Sequence, residues 1–457
     1  MTNQHKKTPK IKKTLLEKVP QLQTLNPEQN AAKDQMLQFL KSREKFFLLS
    51  GGAGTGKTHT IGALIAQLQA EQKRLWIACS APTNKAVKVI RNSTQKWQNH
   101  NIDYGTIFQF LGLTMDYDED GSKVLVEGKR STIDNYDLIL IDESSMISSN
   151  LWDLLNKIVL KDKIKIIFVG DNAQLNPVNE SESLVFSQVQ NTAKLTQVMR
   201  TNAHNPVMDL IQSAREKVFD HEQELALINA FSEDKMSGVW VLDKNQWLDK
   251  IVKAFKSPKY KDNPDYVRVI AWRNVTVNYL NNYIRNSIYD EPHLPYVRGE
   301  RLIASDPIFN PASVEEILIN NSDEFEVIKA SKSVSEDGYN VWILKVIDSE
   351  QKDYVIQVLD QSSQSDFEKR SKELAYEARV KQRERAKNPW ANYWNHRNRY
   401  ALVNYAYSLT SHKAQGSTFN NVFVAQNDIF RNQNLIERYR SLYVSYSRTS
   451  ERLFVNL

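Results

Sequence analysis

A glycine-rich segment near position 50 combines residue types that bind phosphate groups. It runs from Gly51 to Thr58 as GGAGTGKT, after the apolar run Phe46–Leu49 and before a stretch with helical apolar spacing. In this strand–turn–helix order, backbone N–H groups face phosphate oxygens, and the helix N-terminus adds partial positive charge. A glycine-rich turn without a ligand is the alternative, which the complete motif disfavours. Lys57 would reach the β- and γ-phosphates, and Thr58 would hold Mg²⁺. The predicted nucleotide contacts are Gly52, Ala53, Gly54, Thr55, Gly56, Lys57 and Thr58.

Two adjacent carboxylates follow another apolar run. Asp142 and Glu143 come directly after residues 136–141. An aspartate there can hold magnesium through its coordination shell, and the neighbouring glutamate can orient and deprotonate an attacking water. The alternative is a helix N-cap, because Ser144, Ser145 and helical sequence follow. Beside a phosphate-binding motif, the catalytic interpretation is favoured.

Three further side chains suit a reaction at phosphate. Gln174 follows the apolar run 165–170 and can contact a γ-phosphate or the attacking water. Arg200 and Arg448 are candidates for stabilising the charge that develops during phosphoryl transfer. Any of the three alone would be uninformative, because a single arginine is more often a surface charge.

The elements that must position these residues predict an α/β fold. Near-continuous apolar strands separated by helices are typical of a parallel sheet covered on both faces, and ligands gather at the carboxyl ends of its strands. The glycine-rich motif, Asp142–Glu143 and 171–174 all fall at such ends. A second α/β domain is predicted from further apolar strands at 267–272, 405–410, 422–425 and 442–445, the last ending near Arg448.

Composition sets broad limits. The chain has 457 residues, a formal net charge of +6 and a single cysteine. No apolar run is long enough for a transmembrane helix, no signal peptide is recognised, and Cys79 lies in an apolar run, so we expect a cytoplasmic protein. Scattered histidines predict no zinc site. Basic stretches at the N-terminus and at 369–399 leave a nucleic-acid partner open, since a charged run is often only a solvated face.

An ordered set of motifs resembles that of superfamily 1 helicases, from about Leu25 onward. Segments 195–200 and 412–418 resemble the RecD-like branch, and Pro389 to Trp394 resembles the inserted arm of phage Dda helicases. The matching segments are 51–58, 81–85, 142–145, 170–178, 195–200, 412–418 and 443–449.

This resemblance implies a fold of two RecA-like domains and an activity. The activity would be ATP-dependent, Mg²⁺-assisted translocation 5′-to-3′ on single-stranded DNA with unwinding of duplexes, in phage replication or recombination and so in a host cytoplasm. Implied partners are single-stranded DNA and its junctions with duplex, together with a single-stranded DNA-binding protein and other replication proteins. The chain would act as a monomer without a membrane.

The resemblance also assigns residue roles. Arg200 and Arg448 become arginine fingers, Gln29 reads adenine, and Gln415 and Gly416 lie near the nucleotide. Phe108 and Trp272 would stack on bases, although a core aromatic on a buried strand is the open alternative for Trp272. The implied DNA contacts are Pro82, Thr83, Asn84, Lys85, Thr106, Phe108, Trp272, Thr410, His412 and Lys413.

The implied domain plan has two insertions. Residues 1–22 would be a basic tail, 23–112 and 131–196 the first RecA-like domain, and 197–315 with 404–457 the second. A hairpin at 113–130 would separate strands, with Val126 at the position where close relatives carry an aromatic wedge and Tyr117 as a substitute. An SH3-like barrel with a helical arm would occupy 316–403, where Trp390 and Trp394 would anchor the arm on the hairpin.

Two other functions stay open at this point. Because Val126 departs from the family pattern, the chain could mainly strip bound proteins from DNA. It could also be a single-stranded DNA-binding module whose nucleotide site is only regulatory, against which Glu143 and Arg448 argue.

Overall fold

Two parallel β-sheets carry most of the chain. The structure is a computed structural model that describes residues 25–71, 75–94, 101–117, 123–127, 131–161, 163–177, 180–199, 205–220, 225–289, 294–311, 313–384, 386 and 388–457. The predicted tail, 1–22, lies outside these ranges. No helix within them is long and apolar enough to cross a membrane.

The first domain contains α1 to α6 and β1 to β8. Its helices are α1 Pro27–Lys41, α2 Lys57–Ala70, α3 Asn84–Thr94, α4 Ile107–Phe110, α5 Ser149–Lys161 and α6 Leu184–Gln188. Its strands are β1 Phe46–Gly51, β2 Ile77–Ala81, β3 Ile102–Thr106, β4 Leu113–Tyr117, β5 Lys123–Glu127, β6 Leu138–Ile141, β7 Lys165–Gly170 and β8 Thr192–Leu195. Short 3₁₀ turns lie at Ile133–Asn135 and Ser144–Met146.

Six of these strands form the first sheet in the order β3-β2-β6-β7-β1-β8, with every pairing parallel. Separate apolar clusters cover its two faces, which is why strands such as β6 are apolar throughout. The glycine-rich motif begins at the carboxyl end of β1, which lies between β7 and β8 in the sheet. The predicted α/β class is confirmed.

The predicted hairpin between core elements is present. Strands β4 and β5 pair antiparallel, with Thr114 opposite Val126. The side chains of Val126 and Tyr117 lie outside what the structure describes, so a strand-separating role for either stays a prediction.

The second domain contains another sheet. Its helices are α7 Pro206–Lys217, α8 Lys244–Phe255, α9 Pro258–Asp262, α10 Asn274–Ile288, α13 Ser411–Ala414, α14 Gln426–Ile429 and α15 Leu435–Tyr446. Its strands are β9 Ala230–Phe231, β10 Gly238–Leu242, β11 Val267–Ala271, β19 Ser408–Thr410, β20 Phe419–Val424 and β21 Thr449–Asn456. They order as β19-β11-β20-β21-β10-β9, parallel except for β9.

One predicted strand of this domain is wrong. Residues 442–445 lie in helix α15, so Arg448 follows a helix and not a strand. Every residue from Ser441 to Tyr446 is buried. A helix enclosed on all sides loses its polar face, and a short apolar run then cannot be told from a buried strand.

The inserted unit is an antiparallel sheet with a helical arm. Its elements are β12 Arg301–Ala304, β13 Ile308–Asn310, β14 Ser313–Ile319, β15 Glu324–Val334, β16 Asn340–Asp348, β17 Asp353–Leu359, a 3₁₀ turn Gln361–Ser363, α11 Gln364–Arg383, α12 Ala391–Asn398 and β18 Val403–Tyr405. The five-stranded order is β17-β16-β15-β12-β18, and β13 pairs with β14. The unit therefore begins with β12, earlier than the predicted boundary at 316.

The edges of this sheet approach each other. Ala401 N–H, just before β18, donates to Gln357 O of β17 at 2.7 Å. A closed SH3-like barrel stays a prediction. In the arm, Trp390 is buried and its Nε1 donates to Gln382 of α11 at 3.1 Å. The arm is thus anchored on α11, while contact of Trp390 or Trp394 with the hairpin stays a prediction.

Glu324 of β15 joins all three units. Its Oε2 lies 2.9 Å from Arg268 Nη2 of β11, and its Oε1 lies 3.5 Å from Lys85 Nζ of α3. Burial alone would raise the pKa of Glu324, but the charges of Arg268 and Lys85 outweigh burial and hold the pKa below its ordinary value. The resulting stability is fully present above the ordinary glutamate pKa and is lost as the pH falls through the lowered one.

We expect Glu324→Gln to lower the free energy of unfolding by about 3 kcal/mol, because it leaves the buried Arg268 charge with only the exposed Asp265 carboxylate, 4.0 Å away. Glu326→Gln is the control. That carboxylate lies on the same strand, and its ion pair with Arg301 at 3.7 Å is partly exposed, so about 0.5 kcal/mol should be lost. Urea unfolding measures both at neutral pH. Equal losses in the two variants would contradict the assignment of Glu324 as the joining charge.

Candidate functional site

The predicted phosphate-binding loop has a tightly turned geometry that requires glycine. Gly54 and Gly56 adopt positive φ angles of 75° and 81°, which side-chain-bearing residues rarely tolerate. The Lys57 ammonium lies inside the loop, where it donates to Gly51 O at 2.7 Å and Gly52 O at 3.0 Å. Helix α2 begins at Lys57 itself. Phosphate oxygens entering the loop would therefore compete with two carbonyl groups for the same cation.

Gln29 lies against this loop. It forms a capping box with Asn26 at the start of α1, it is fully buried, and its Nε2 donates to Thr55 O at 3.0 Å. A Cβ on Gly56 would come within 2.3 Å of that nitrogen. The structure brings Gln29 to the nucleotide motif as the resemblance implied. Adenine recognition stays a prediction.

The two predicted carboxylates lie at the end of β6 in an unusual turn. Glu143 has φ 52°, in the left-handed region, and its N–H donates to Asp142 Oδ1 at 2.8 Å. Burial, and then the charge of Glu143, raises the pKa of Asp142 to about 6, against the opposing charge of Lys57. Two crowded carboxylates that Lys57 compensates only in part favour a nearby cation.

The second domain supplies the facing wall. Gln415 follows α13, and its Nε2 donates to Gln174 Oε1 at 2.9 Å and to Ser145 Oγ at 3.1 Å. Gly416 has φ 74°, and a Cβ there would lie 3.8 Å from Glu143 Oε1. The tertiary fold thus joins Gln174, Gln415 and Gly416 beside the catalytic carboxylate candidate.

Arg448 is buried on this wall. Its guanidinium donates to Val444 O at 3.1 Å, Ser417 O at 3.2 Å and Ser447 Oγ at 2.9 Å. Burial lowers the pKa of Arg448, and the negative charge of Glu143 opposes that effect. Arg200 lies outside the described residues, so its role as a finger stays a prediction.

Four residues at the domain interface received no role from the sequence. Asp171 is fully buried and is bonded by Arg215 and Tyr443, while Arg440 donates to the carbonyls of Asn172 and Gln174. Asp171 had a visible signal, because it follows a buried strand directly. Tyr443 begins the matching segment 443–449, whereas Arg215 and Arg440 had no signal, since each is an ordinary helical residue until the domains meet.

The predicted DNA contacts separate into two groups. Trp272, Thr410, His412 and Lys413 line one open cleft of about 740 Å³ together with 175–177 of the first domain. Trp272 directly follows β11, is half-buried and packs against the core of the second domain, so stacking on a base and a core role both stay open. Burial lowers the pKa of both His412 and Lys413, which favours a neutral imidazole.

The other group lies around α3 and α4. Thr83 Oγ1 accepts from Ala86 N–H at 3.3 Å, in the turn that Pro82 and Asn84 share. Thr106 caps α4 through Gln109, and Phe108 is half-buried against the sheet. Lys85 is paired with Glu324, as described above. These residues do not appear among those lining the 740 Å³ cleft in the described chain, and their contact with DNA stays a prediction.

Two family models and several known proteins match this chain. A model of an AAA domain matches residues 24–233, and one of a UvrD-like helicase C-terminal domain matches residues 405–455. An uncharacterized protein of Acanthamoeba polyphaga mimivirus is 29% identical over 94% of this chain and 99% of its own length. The ATP-dependent DNA helicase dda of Enterobacteria phage T4 is 26% identical over 85% of this chain and 89% of its own.

The chain belongs to the superfamily 1 helicases of the RecD type, with similarity to dda. As a member of this family it is an ATP-hydrolysing DNA helicase. A structure reported for DNA unwinding at forked DNA by two coordinating Pif1 helicases covers 94% of the chain and 92% of its own, with 15% identity and a TM-score of 0.50. That likeness shows the fold alone, and it agrees with two RecA-like domains.

The helicase's residues fit a magnesium ion. Thr58 and Asp142 offer a hydroxyl and a carboxylate, the oxygen ligands that Mg²⁺ prefers. Among the described residues, no three histidine, cysteine or acidic side chains group as a metal site. The remaining ligands would therefore come from phosphate oxygens and water, as is usual for this ion.

We expect Gly56→Ala to abolish nucleotide binding by this helicase, because the new Cβ would lie 2.3 Å from Gln29 Nε2 on a backbone with φ 81°. Gly299→Ala is the matched control, since Gly299 has the same φ of 81° and nothing within 4 Å of a Cβ. Its cost should be backbone strain alone, about 1 kcal/mol of unfolding free energy. Titration with a fluorescent ATP analogue measures binding, and equal loss in both variants would mean that strain, not the Gln29 contact, is decisive.

Proposed function

We propose that this helicase hydrolyses ATP to move 5′-to-3′ along single-stranded DNA and to separate duplex DNA. One observation carries the proposal: a single segment reaches both sites. Thr410, His412 and Lys413 line the open cleft, while Gln415, on the other side of the short helix α13, bonds Gln174 beside Glu143. A rearrangement around the phosphates would therefore be transmitted through α13 to the residues that line the open cleft.

The nucleotide chemistry is divided between the domains. Lys57 would exchange the carbonyls of the loop for phosphate oxygens, and Glu143 would orient and deprotonate the attacking water. Arg448, from the second domain, would stabilise charge on the transferring group, with Arg200 as a second finger. Mg²⁺ held by Thr58 and Asp142 would neutralise charge on the phosphates.

Translocation follows from opening and closing this interface. Contacts to the γ-phosphate favour the closed state, and ADP cannot make them, so each turnover shifts one domain's grip relative to the other. Trp272 would stack on a base in the cleft, while backbone groups and lysines around residues 82–85 would contact phosphates. Val126 on the hairpin would meet the duplex at the junction.

The biological setting rests on the relatives. Both long matches come from viruses, and one is named an ATP-dependent DNA helicase. This supports a role in viral DNA replication or recombination, in a host cell's cytoplasm. We further propose a monomer that works beside a single-stranded DNA-binding protein.

Lys57→Ala should remove DNA-stimulated ATP hydrolysis, because the loop loses its only predicted phosphate cation. Arg448→Ala should retain ATP binding but slow turnover by about a thousandfold, as loss of an arginine finger does. Arg431→Ala, an exposed arginine of the second domain, is the control and should hydrolyse ATP normally. Phosphate release at saturating single-stranded DNA measures all three. Turnover that survives Lys57→Ala would exclude the proposed ATPase site.

Polarity is tested with duplexes that carry a single-stranded tail on one end. We expect unwinding of the 5′-tailed duplex and little of the 3′-tailed one, since the motor loads on the tail and moves toward its 3′ end. The reverse preference would refute the direction. ATP-driven release of streptavidin without duplex separation would instead favour a translocase that strips proteins, and absence of turnover would favour a regulatory nucleotide site.

A further inference from the structure

A buried polar cluster connects the phosphate-binding loop to two helices of the second domain. Asp171, at the end of β7, is fully buried. Arg215 of α7 donates to Asp171 Oδ1 from Nη2 at 3.0 Å and from Nε at 3.3 Å. The Tyr443 hydroxyl of α15 donates to Asp171 Oδ2 and accepts from Ala53 N–H at 2.8 Å. The cluster therefore spans both domains and ends on the loop itself.

The cluster lies beside the part of the loop that holds Lys57. A Cβ on Gly52 would lie 3.1 Å from Arg215 Nε, and the carbonyl of Gly52 accepts from Lys57 Nζ at 3.0 Å. Burial and the charge of Asp171 raise the pKa of Tyr443, so its hydroxyl keeps the proton that it donates. The Asp171 carboxylate thus accepts from Arg215 and Tyr443, and the Tyr443 hydroxyl oxygen in turn accepts from Ala53 N–H of the loop.

Tyr443 shares a helix with the groups that hold Arg448. Helix α15 ends at Tyr446, and the Arg448 guanidinium folds back onto Val444 O of its last turn. Helices α7 and α15 also pack against each other. Whatever fixes Tyr443 on the first domain therefore fixes the end of α15, and with it the place from which Arg448 acts.

We propose that Tyr443 is a positioning residue for Arg448: it docks α15 on the loop at Ala53, and Asp171 and Arg215 hold its hydroxyl in place. The inference rests on the proposed function, because it assigns Arg448 the role of arginine finger. Its physical content is a hydrogen bond between the two domains at the nucleotide loop. A purely structural cluster would hold the domains together without affecting what Arg448 does.

The test is Tyr443→Phe, with Tyr446→Phe as its matched control. Tyr446 lies on the same helix and is fully buried, but its hydroxyl bonds Gln426 inside the second domain. In nucleotide-free protein, hydrogen exchange in the loop 51–58 should rise about fivefold in Tyr443→Phe, since Ala53 N–H loses its acceptor. Tyr446→Phe should leave that exchange unchanged.

Turnover gives the second measurement. Tyr443→Phe should lower kcat about fivefold at saturating single-stranded DNA with little change in KM for ATP. In an Arg448→Ala background the same change should have no further effect, because the residue it positions is gone. Arg215→Lys, which keeps the charge but not the two-point contact with Asp171, should behave like a weaker Tyr443→Phe.

Each outcome decides a separate point. Unchanged loop exchange in Tyr443→Phe would overturn the proposal whatever the ATPase does. Raised exchange with a kcat effect that persists fully in the Arg448→Ala background would also overturn it, leaving a structural contact. Wild-type protein without DNA-stimulated hydrolysis would instead defeat the proposed function, while the exchange measurement would still report on the contact itself.

Discussion

Within the described chain, the buried carboxylate of Asp171 accepts only the Ala173 N–H from its own domain, at 3.1 Å, and depends on the second domain for its side-chain donors. An unpaired charge in a low-dielectric interior costs several kcal/mol, so a carboxylate at the end of a central strand requires donors close by. Arg215 and Tyr443 supply them from the second domain. The same requirement recurs at Gln174, whose side-chain oxygen and backbone carbonyl are paired with Gln415 and Arg440. Hydrogen bonds and ion pairs across this domain interface therefore join the two sheets into one functional unit.

The nucleotide motif lies at that interface between the two domains. Lys57 is held by loop carbonyls, Glu143 sits on a left-handed backbone, and Gly416 approaches Glu143 from the opposite domain. None of these contacts is strong alone, and each occupies a group that a phosphate or a water would use. In the proposed mechanism, nucleotide binding would exchange the partners of Lys57 and change the surroundings of Glu143, next to Gly416 of the second domain. Chemistry and motion are therefore carried by the same residues.

The inserted sheet is tied to this unit by charge. Glu324 pairs with Arg268 from the core of the second domain and with Lys85 from the first. Because Lys85 is also a predicted DNA contact, a phosphate at that position would compete with Glu324 for it. The proposed DNA contact of Lys85 would therefore also change the ion pair that joins the inserted sheet to the first domain.

The sequence by itself determined the local chemistry. Gly51 to Thr58, Asp142 with Glu143, and the apolar strands between them were recognisable because each is a short pattern whose physical reason is local: phosphate binding by backbone amides, or burial of a strand on both faces. The hairpin at 113–130 and the α/β class were predicted for the same reason. The resemblance added Gln29, Gln415 and Gly416, which carry no local signal, and the fold brings all three to the motif.

The tertiary structure decided every feature that depends on contacts between residues distant in sequence. Residues 442–445 read as a strand because every residue from Ser441 to Tyr446 is buried, and only packing distinguishes a buried helical turn from a buried strand. The limits of the inserted sheet depend on β12 pairing with β15 and β18, which are distant in sequence. Asp171, Arg215 and Tyr443 acquire their roles only when two domains meet, because a hydrogen bond between distant residues leaves no periodic trace in the chain.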